Sequence, residues 1–235
     1  MFQAKSIDPD RRLEALEAAM GDRTRALEAA LEQRTALLHE LDHRVKNNLQ
    51  LISSLMLMQA RRAPEPAVRA ALEGTLRRLH AIATVHRRLF DRDDLGRFDV
   101  AEFVRDLVSD LDCAAPRPTA RFVCELSPAY APVRLAGALA LVVNELVTEA
   151  LDRVEPAGDA GPIRIAVAQG AEGLRVEVAD DAKTSTAASG EAETLGTTIV
   201  ELLVRQLQGR LRREPGPAGT RTELVLPLVL EAGPP

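Results

Sequence analysis

The sequence contains no tryptophan, and aromatic residues make up only 3% of its 235 residues. An interior with so few aromatic rings must be built mainly from leucine, valine, alanine and isoleucine, which suits helices. Cys113 and Cys124 are too few for a disulfide framework, so we expect a reduced, cytoplasmic setting. No uninterrupted apolar run reaches the ~18 residues of a membrane span, and the first residues have no secretion-signal core. We therefore expect no membrane association.

Charge of one sign is not in large excess either. The formal net charge is −5 and the isoelectric point is about 5.5, which argues against general nucleic-acid binding. With 46% hydrophobic and 28% charged residues, the composition is typical of a folded, soluble protein. A chain of this length forms one large domain or two small ones.

The first part of the chain is predicted to form a helical hairpin. Apolar residues recur at steps of three, four or seven over residues 8–60, which predicts one long helix with a coiled-coil-like seam. The prolines of 61–66 break this helix, and a second helical pattern covers 66–90, with Arg77 and Arg78 on a solvated face. One hairpin leaves its seam exposed, so we predict a homodimer in which two hairpins form a four-helix bundle.

The second part has a different pattern. Residues 91–99 are a polar joint, and the small polar residues of 182–193 predict a mobile loop. Strands mixed with helices indicate an α+β sandwich, with helices on one face of one mixed sheet. We expect two domains, 1–95 and 96–235. The predicted elements are helices at 99–112, 132–154 and 194–211, a strand at 120–126, and hairpins at 162–180 and 209–228.

Residues 39–43, HELDH, match the H-E-x-x-H zinc signature, in which two histidines one turn apart bind the metal. A catalytic zinc needs a third protein ligand, and the extended motif would have glycine at position 46 and histidine at 49. Those positions hold Lys46 and Leu49, and the charges of Arg44 and Lys46 oppose a dication. We therefore predict no metal site here.

His43 faces away from the apolar stripe of the predicted helix. At about 100° per residue, it lies roughly 200° from Leu41 and from Val45, whereas Lys46 and Asn47 lie within about 60° of it. An imidazole placed this way is reachable by a phosphoryl donor, and Lys46 and Asn47 can hold phosphate oxygens. A solvated surface histidine is the alternative. The predicted catalytic residues are His43 as nucleophile, Lys46 and Asn47 as phosphate partners, and Asp42 and Arg44 as supporting neighbours.

HRVKNNLQ, at 43–50, resembles the phosphoacceptor box of the HisKA_2 class of bacterial sensor histidine kinases. That family places its histidine on the first helix of a dimeric hairpin, followed by an ATP-binding domain. LVVNELVTEALDRV, at 141–154, is similar to the N-box helix of that domain, usually written N-E-L-V-T-N-A. With LGTTIVELLVRQLQGRL, at 195–211, the resemblance covers about residues 35–228. It implies a helical hairpin followed by a GHKL-like α/β sandwich.

The N-box departs from the family at one position. Asn144 and Glu145 are kept, but Glu149 replaces the asparagine that ligates magnesium in the family. A carboxylate can ligate Mg²⁺, although Glu149 also adds negative charge beside phosphates.

The later nucleotide boxes depart further. The usual D-x-G-x-G reads DDA at 180–182, where Asp180 could still contact an adenine but the glycines for close backbone approach are missing. Gly196 is the one glycine of a usually richer loop. The resemblance therefore implies a degenerate site that does not bind ATP, with no cofactor of the chain's own. Its residues are Asn144, Glu145, Glu149, Asp180 and Gly196.

A kinase-like dimer that keeps its histidine but has an eroded nucleotide site resembles the sporulation phosphotransferase and the ChpT family. The resemblance implies a histidine phosphotransferase that relays a phosphoryl group between receiver aspartates of response regulators through His43. The receiver would supply Mg²⁺ and dock around Val45–Met56 and on the degenerate domain. Two alternatives stay open: an ATP-dependent histidine kinase without a sensor domain, and a module that binds a regulator without phosphate transfer.

Overall fold

The computed structural model describes residues 9–90, 96–114, 122–154, 161–182, 195–216 and 219–228. In chain order the described elements are α1 (Pro9–Arg62), α2 (Pro66–Phe90), β1 (Arg97–Asp99), α3 (Val100–Ala114), β2 (Phe122–Leu126), β3 (Tyr130–Pro132), α4 (Val133–Val154), β4 (Ile163–Gly170), β5 (Gly173–Ala179), α5 (Leu195–Gln206), β6 (Arg210–Gly216) and β7 (Gly219–Leu226). None of the described helices is long and apolar enough to cross a lipid bilayer.

The chain divides into two compact units, 1–48 and 49–235. The predicted domains, 1–95 and 96–235, stay a prediction, because compactness alone does not test them.

The described part of the first unit is the beginning of α1. This helix is 54 residues long and ends at Arg62, where Pro64 cannot continue the backbone hydrogen bonds. In the single chain, the apolar stripe of the first unit is exposed to solvent by 37–67%. These exposed residues are Leu16, Met20, Leu27, Leu31, Leu37, Leu38 and Leu41.

The second unit is built on a five-stranded mixed sheet in the order β2-β4-β5-β7-β6. Strand β2 is parallel to β4, and the other neighbours are antiparallel. Alternation sets the buried face: Ile163, Ile165 and Val167 of β4 are buried, whereas Arg164 is exposed. The hairpins predicted at 162–180 and 209–228 are present as β4–β5 and β6–β7.

Helices cover the buried face of this sheet. Most of α4 is buried, including Leu139 and Leu146, and it packs against α2, α3 and α5. Helix α2 is further joined to α3 by Arg88, whose Nε donates to Asp106 at 2.6 Å. The predicted α+β class, a helical segment followed by an α/β sheet domain, is confirmed.

Some predicted boundaries are wrong. The strand pair β1–β3 was not predicted, and it replaces part of the expected polar joint at 91–99. Helix α5 ends at Gln206 rather than near Gly209, because Gln208 adopts a left-handed φ of 54° and Arg210 begins a strand. Residues 183–193 of the predicted mobile loop lie outside the described residues.

Candidate functional site

His43 lies on α1 with its side chain exposed. Asn47, one turn later, is also exposed, and Lys46 is half-buried. Arg44 donates from Nε to Oε1 of Glu40 at 2.7 Å, and both side chains are mostly exposed. The helix therefore presents a polar face that holds the imidazole, an ammonium and an amide. The backbone of Asp42 is helical, but its side chain lies outside what is described.

Around the zinc signature at 39–43, the part of the chain that the structure describes supplies no third metal ligand. Within the described residues, no group of three or more His, Cys, Asp or Glu side chains could hold a metal ion. The carboxylate of Glu40, the acid of the motif, is paired with Arg44. The glutamate that would act as the base of a zinc site is therefore already paired with a guanidinium.

The N-box residues Asn144 and Glu145 are buried on α4, with exposures of 1% and 8%. Arg78 of α2 donates to both carboxylate oxygens of Glu145, from Nε at 3.1 Å and from Nη2 at 2.7 Å. Asn144 donates from Nδ2 to the same carboxylate at 3.1 Å. The prediction that Arg78 lies on a solvated face is wrong, because its side chain is only 18% exposed and is held by Glu145.

A second polar group joins α4 to the end of β5. Arg153 donates from Nε to Oδ2 of Asp180 at 2.9 Å, and its Nη2 lies 2.8 Å from the same oxygen in an ion pair. Its Nη1 lies 3.2 Å from Oε1 of Glu149, one turn earlier on α4. Arg213, on β6, donates to Oε2 of Glu149 at 3.1 Å. The residues that the resemblance assigns to magnesium and to adenine are thus linked by one guanidinium.

Backbone groups complete the environment of Asp180, whose side chain is fully buried. Its Oδ1 accepts from the backbone N–H of Ala182 at 3.2 Å and of Thr220 at 3.3 Å. Gly219 has a φ of 140°, and a Cβ there would overlap the backbone carbonyl of Asp180. Glycine at 219 therefore permits β7 to approach Asp180 closely enough for the Thr220 contact.

The described contacts form two groups rather than one site. The first is Asn144, Glu145 and Arg78, and the second is Glu149, Arg153, Asp180 and Arg213. Gly196 lies half-buried in the first turn of α5, which packs on α4. Sequence reasoning did not place Arg78, Arg153, Arg213 or Thr220 in the candidate site.

These groups do not fit a magnesium nucleotide as they are arranged. Both oxygens of Glu149 contact a guanidinium, and a divalent cation placed there would meet Arg153 and Arg213. Oδ2 of Asp180 already accepts a hydrogen bond from Nε of Arg153 and forms an ion pair with its Nη2. A base at Asp180 and a cation at Glu149 would therefore both compete with Arg153.

Residues 40–114 match the HisKA_2 model, described as histidine kinase. Residues 135–230 match the model of the histidine kinase-, DNA gyrase B- and HSP90-like ATPases. Sensor histidine kinase PdtaS of Mycobacterium tuberculosis is 32% identical over 201 residues, covering 82% of this chain and 40% of that protein. Blue-light-activated histidine kinase 2 of Erythrobacter litoralis is 27% identical over 205 residues, covering 81% and 57%.

A solved histidine kinase structure shares the fold of this chain. The histidine kinase domain of the Erythrobacter litoralis EL346 blue-light activated histidine kinase superposes with a TM-score of 0.57 at 23% identity, covering 81% of this chain and 93% of that domain. The chain spans about 40% of the length of the PdtaS proteins it matches. The two family matches and the similarity to PdtaS favour the histidine kinase alternative over the predicted phosphotransferase. The chain therefore contains a HisKA_2 histidine kinase region followed by an ATPase-type region, and it is similar to histidine kinases of the HisKA_2 class.

Proposed function

We propose that this chain is the phosphoacceptor and ATPase-like part of an ATP-dependent histidine kinase. His43 accepts the phosphoryl group and passes it to a receiver aspartate of a response regulator. The observation that carries this proposal is the consecutive match of a HisKA_2 region and an ATPase-type region, with His43 exposed within the first.

The polar face of α1 supports the role of His43. The unprotonated imidazole nitrogen attacks the terminal phosphorus of ATP, and an N–P bond forms as the P–O bond to ADP breaks. The ammonium of Lys46 and the amide of Asn47 follow His43 by three and four residues, so they share its helical face. Both groups can donate to phosphoryl oxygens, and Asp42 and Arg44, the neighbours of His43 in sequence, are the proposed supporting residues.

The proposed active form is a homodimer. The exposed leucine stripe of α1 is the surface that would be buried between two copies in a four-helix bundle. Its response-regulator partner brings its own Mg²⁺ in the receiver pocket. We place the exchange in the cytoplasm, which the two free cysteines, Cys113 and Cys124, support.

Incubation with ATP labelled at the terminal phosphate tests the kinase. We expect label on the wild-type chain and none on His43→Gln. The matched control is His39→Gln, which alters another exposed histidine one turn earlier on α1 and should keep the label. Labelling of His43→Gln at the wild-type level would refute the role of His43.

The Arg153 network favours a second candidate, the phosphotransferase without nucleotide. Its carboxylates are occupied by the chain's own arginines, which is compatible with phosphoryl transfer between receivers only. In that case ATP gives no label, but a phosphorylated receiver labels the wild-type chain and not His43→Gln. If neither donor labels the chain, a module that binds the regulator without transfer is favoured.

A further inference from the structure

We propose that the guanidinium of Arg153 competes with nucleotide for the carboxylates of Asp180 and Glu149. In this role its guanidinium sets how tightly the ATPase-like domain binds ATP. The inference deepens the proposed function, since it concerns the nucleotide site of the same kinase, but its test measures affinity rather than phosphorylation.

Both carboxylate oxygens of Asp180 already have hydrogen-bond donors within the chain. Oδ1 is held by the backbone N–H groups of Ala182 and Thr220, which no side-chain movement removes. Oδ2 accepts the Nε–H of Arg153 at 2.9 Å and lies 2.8 Å from its Nη2. A ligand that donates an amino group to Asp180 must use Oδ2 and must therefore displace Arg153. An adenine base carries such an exocyclic amine.

Arg153 makes a second contact, with the carboxylate of Glu149. Its Nη1 lies 3.2 Å from Oε1, so the same guanidinium neutralises both carboxylates. A cation brought by a nucleotide would have to replace that positive charge rather than add to it. Base and cation thus compete with a single side chain. The closed form, in which Arg153 contacts both Asp180 and Glu149, excludes bound nucleotide, whereas the open form, in which Arg153 has moved away, permits it.

The guanidinium of Arg153 can move into solvent without disrupting its neighbours. Its side chain is 24% exposed, which gives the guanidinium a route to solvent. Glu149 would keep Arg213, which donates to its other oxygen at 3.1 Å. Asp180 would keep its two backbone donors. Every carboxylate therefore retains a partner when Arg153 swings out.

The consequence is quantitative. When a protein binds ligand only in a minor conformation, the apparent affinity falls by the fraction of molecules in that conformation. If the closed form outnumbers the open form about tenfold, removing Arg153 tightens ATP binding by about tenfold.

Calorimetric titration with ATP, with and without Mg²⁺, tests this on the whole chain. We expect Arg153→Gln to bind ATP about tenfold more tightly than wild type. The matched control is Arg164→Gln, which removes a nearby arginine that pairs with exposed Asp181 and should leave affinity unchanged. Unchanged or weaker binding by Arg153→Gln would overturn the proposal, and weaker binding would mean that Arg153 holds the phosphates.

A second variant covers the case in which Arg153→Gln does not fold. Glu149→Gln removes one of the two anchors of Arg153 and leaves Asp180 intact, so ATP affinity should rise by a smaller factor. Unchanged or weaker ATP binding in that variant would equally contradict the competition. Failure of the kinase proposal appears separately, as absence of label on His43, so the two failures are distinguishable.

Discussion

Arg78 of α2 donates two hydrogen bonds to the carboxylate of Glu145 on α4, 67 residues later in the chain. The pair connects the second helix of the HisKA_2 region to the N-box helix of the ATPase-like region. Because Glu145 also accepts from Asn144, the orientation of the N-box acid is fixed from two sides. Removing the side chain of Arg78 would therefore alter the orientation of Glu145 in the N-box.

Replacing Arg78 with alanine should destabilise the fold. The side chain of Glu145 is only 10% exposed, so the change leaves a buried carboxylate without its cation, at a cost of about 3–5 kcal/mol. Urea unfolding followed by circular dichroism measures the loss. The control is Arg205→Ala, which breaks an exposed pair with Glu201 and should cost less than about 1 kcal/mol. Equal losses in the two variants would show that the Arg78 pair has no special weight.

Gly219→Ala should also destabilise the protein, by more than about 1 kcal/mol. Residue 219 has a φ of 140°, and an added Cβ would overlap the carbonyl of Asp180. Gly170→Ala is the matched control, because its Cβ would enter open space on β4. Thermal unfolding of both variants checks this. A Gly219→Ala protein as stable as Gly170→Ala would contradict the close approach of β7 to Asp180.

The pair Arg164–Asp181 predicts a small dependence of stability on acid. The hydrogen bond from Arg164 holds the pKa of Asp181 below its usual value, although partial burial opposes the shift. A lowered carboxyl pKa adds stability above the unfolded pKa, near ~3.9, and that stability is lost as pH falls through the folded pKa. Both side chains are partly exposed, so the contribution stays below about 1 kcal/mol.

Urea unfolding of wild type and Asp181→Asn at a series of pH values measures this contribution. The stability difference between the two proteins should be largest near neutral pH and shrink below about pH 4. A difference that grows as the solution becomes more acidic would have the wrong sign.

The leucine stripe of α1 predicts how the chain self-associates. Leu31 is 53% exposed in the single chain, and a glutamate in its place would put a charge into the proposed dimer seam. We expect Leu31→Glu to shift the protein from dimer toward monomer in sedimentation equilibrium. Gln33→Glu adds the same charge about 200° away around the helix and should leave the dimer intact. Dissociation by both variants would indicate a general charge effect instead.

Periodic burial made much of the fold predictable. The seam of α1 and the alternation of Ile163, Ile165 and Val167 are local patterns, so the helix and the β4–β5 hairpin follow from the sequence. The strands β1 and β3 are only three residues long, too short for alternation to show. They form because Phe98 and Ala131 pair across the chain and both are buried.

The site was less predictable, because its contacts are long-range. The spacing of Glu149 and Arg153 on α4 could have suggested an i,i+4 pair. Its extension to Asp180 requires the packing of α4 against the end of β5, which no local pattern encodes. The same is true of Arg213, which reaches Glu149 from β6.

Strand β6 forms one edge of the sheet, and its outward residues are Arg210, Arg212 and Glu214, followed by Pro215. A bare edge is the place where a strand from another molecule adds and aggregation begins. Here an incoming strand would have to desolvate three charges and would meet a proline that lacks an N–H. The protein should therefore resist fibrillar stacking through this edge.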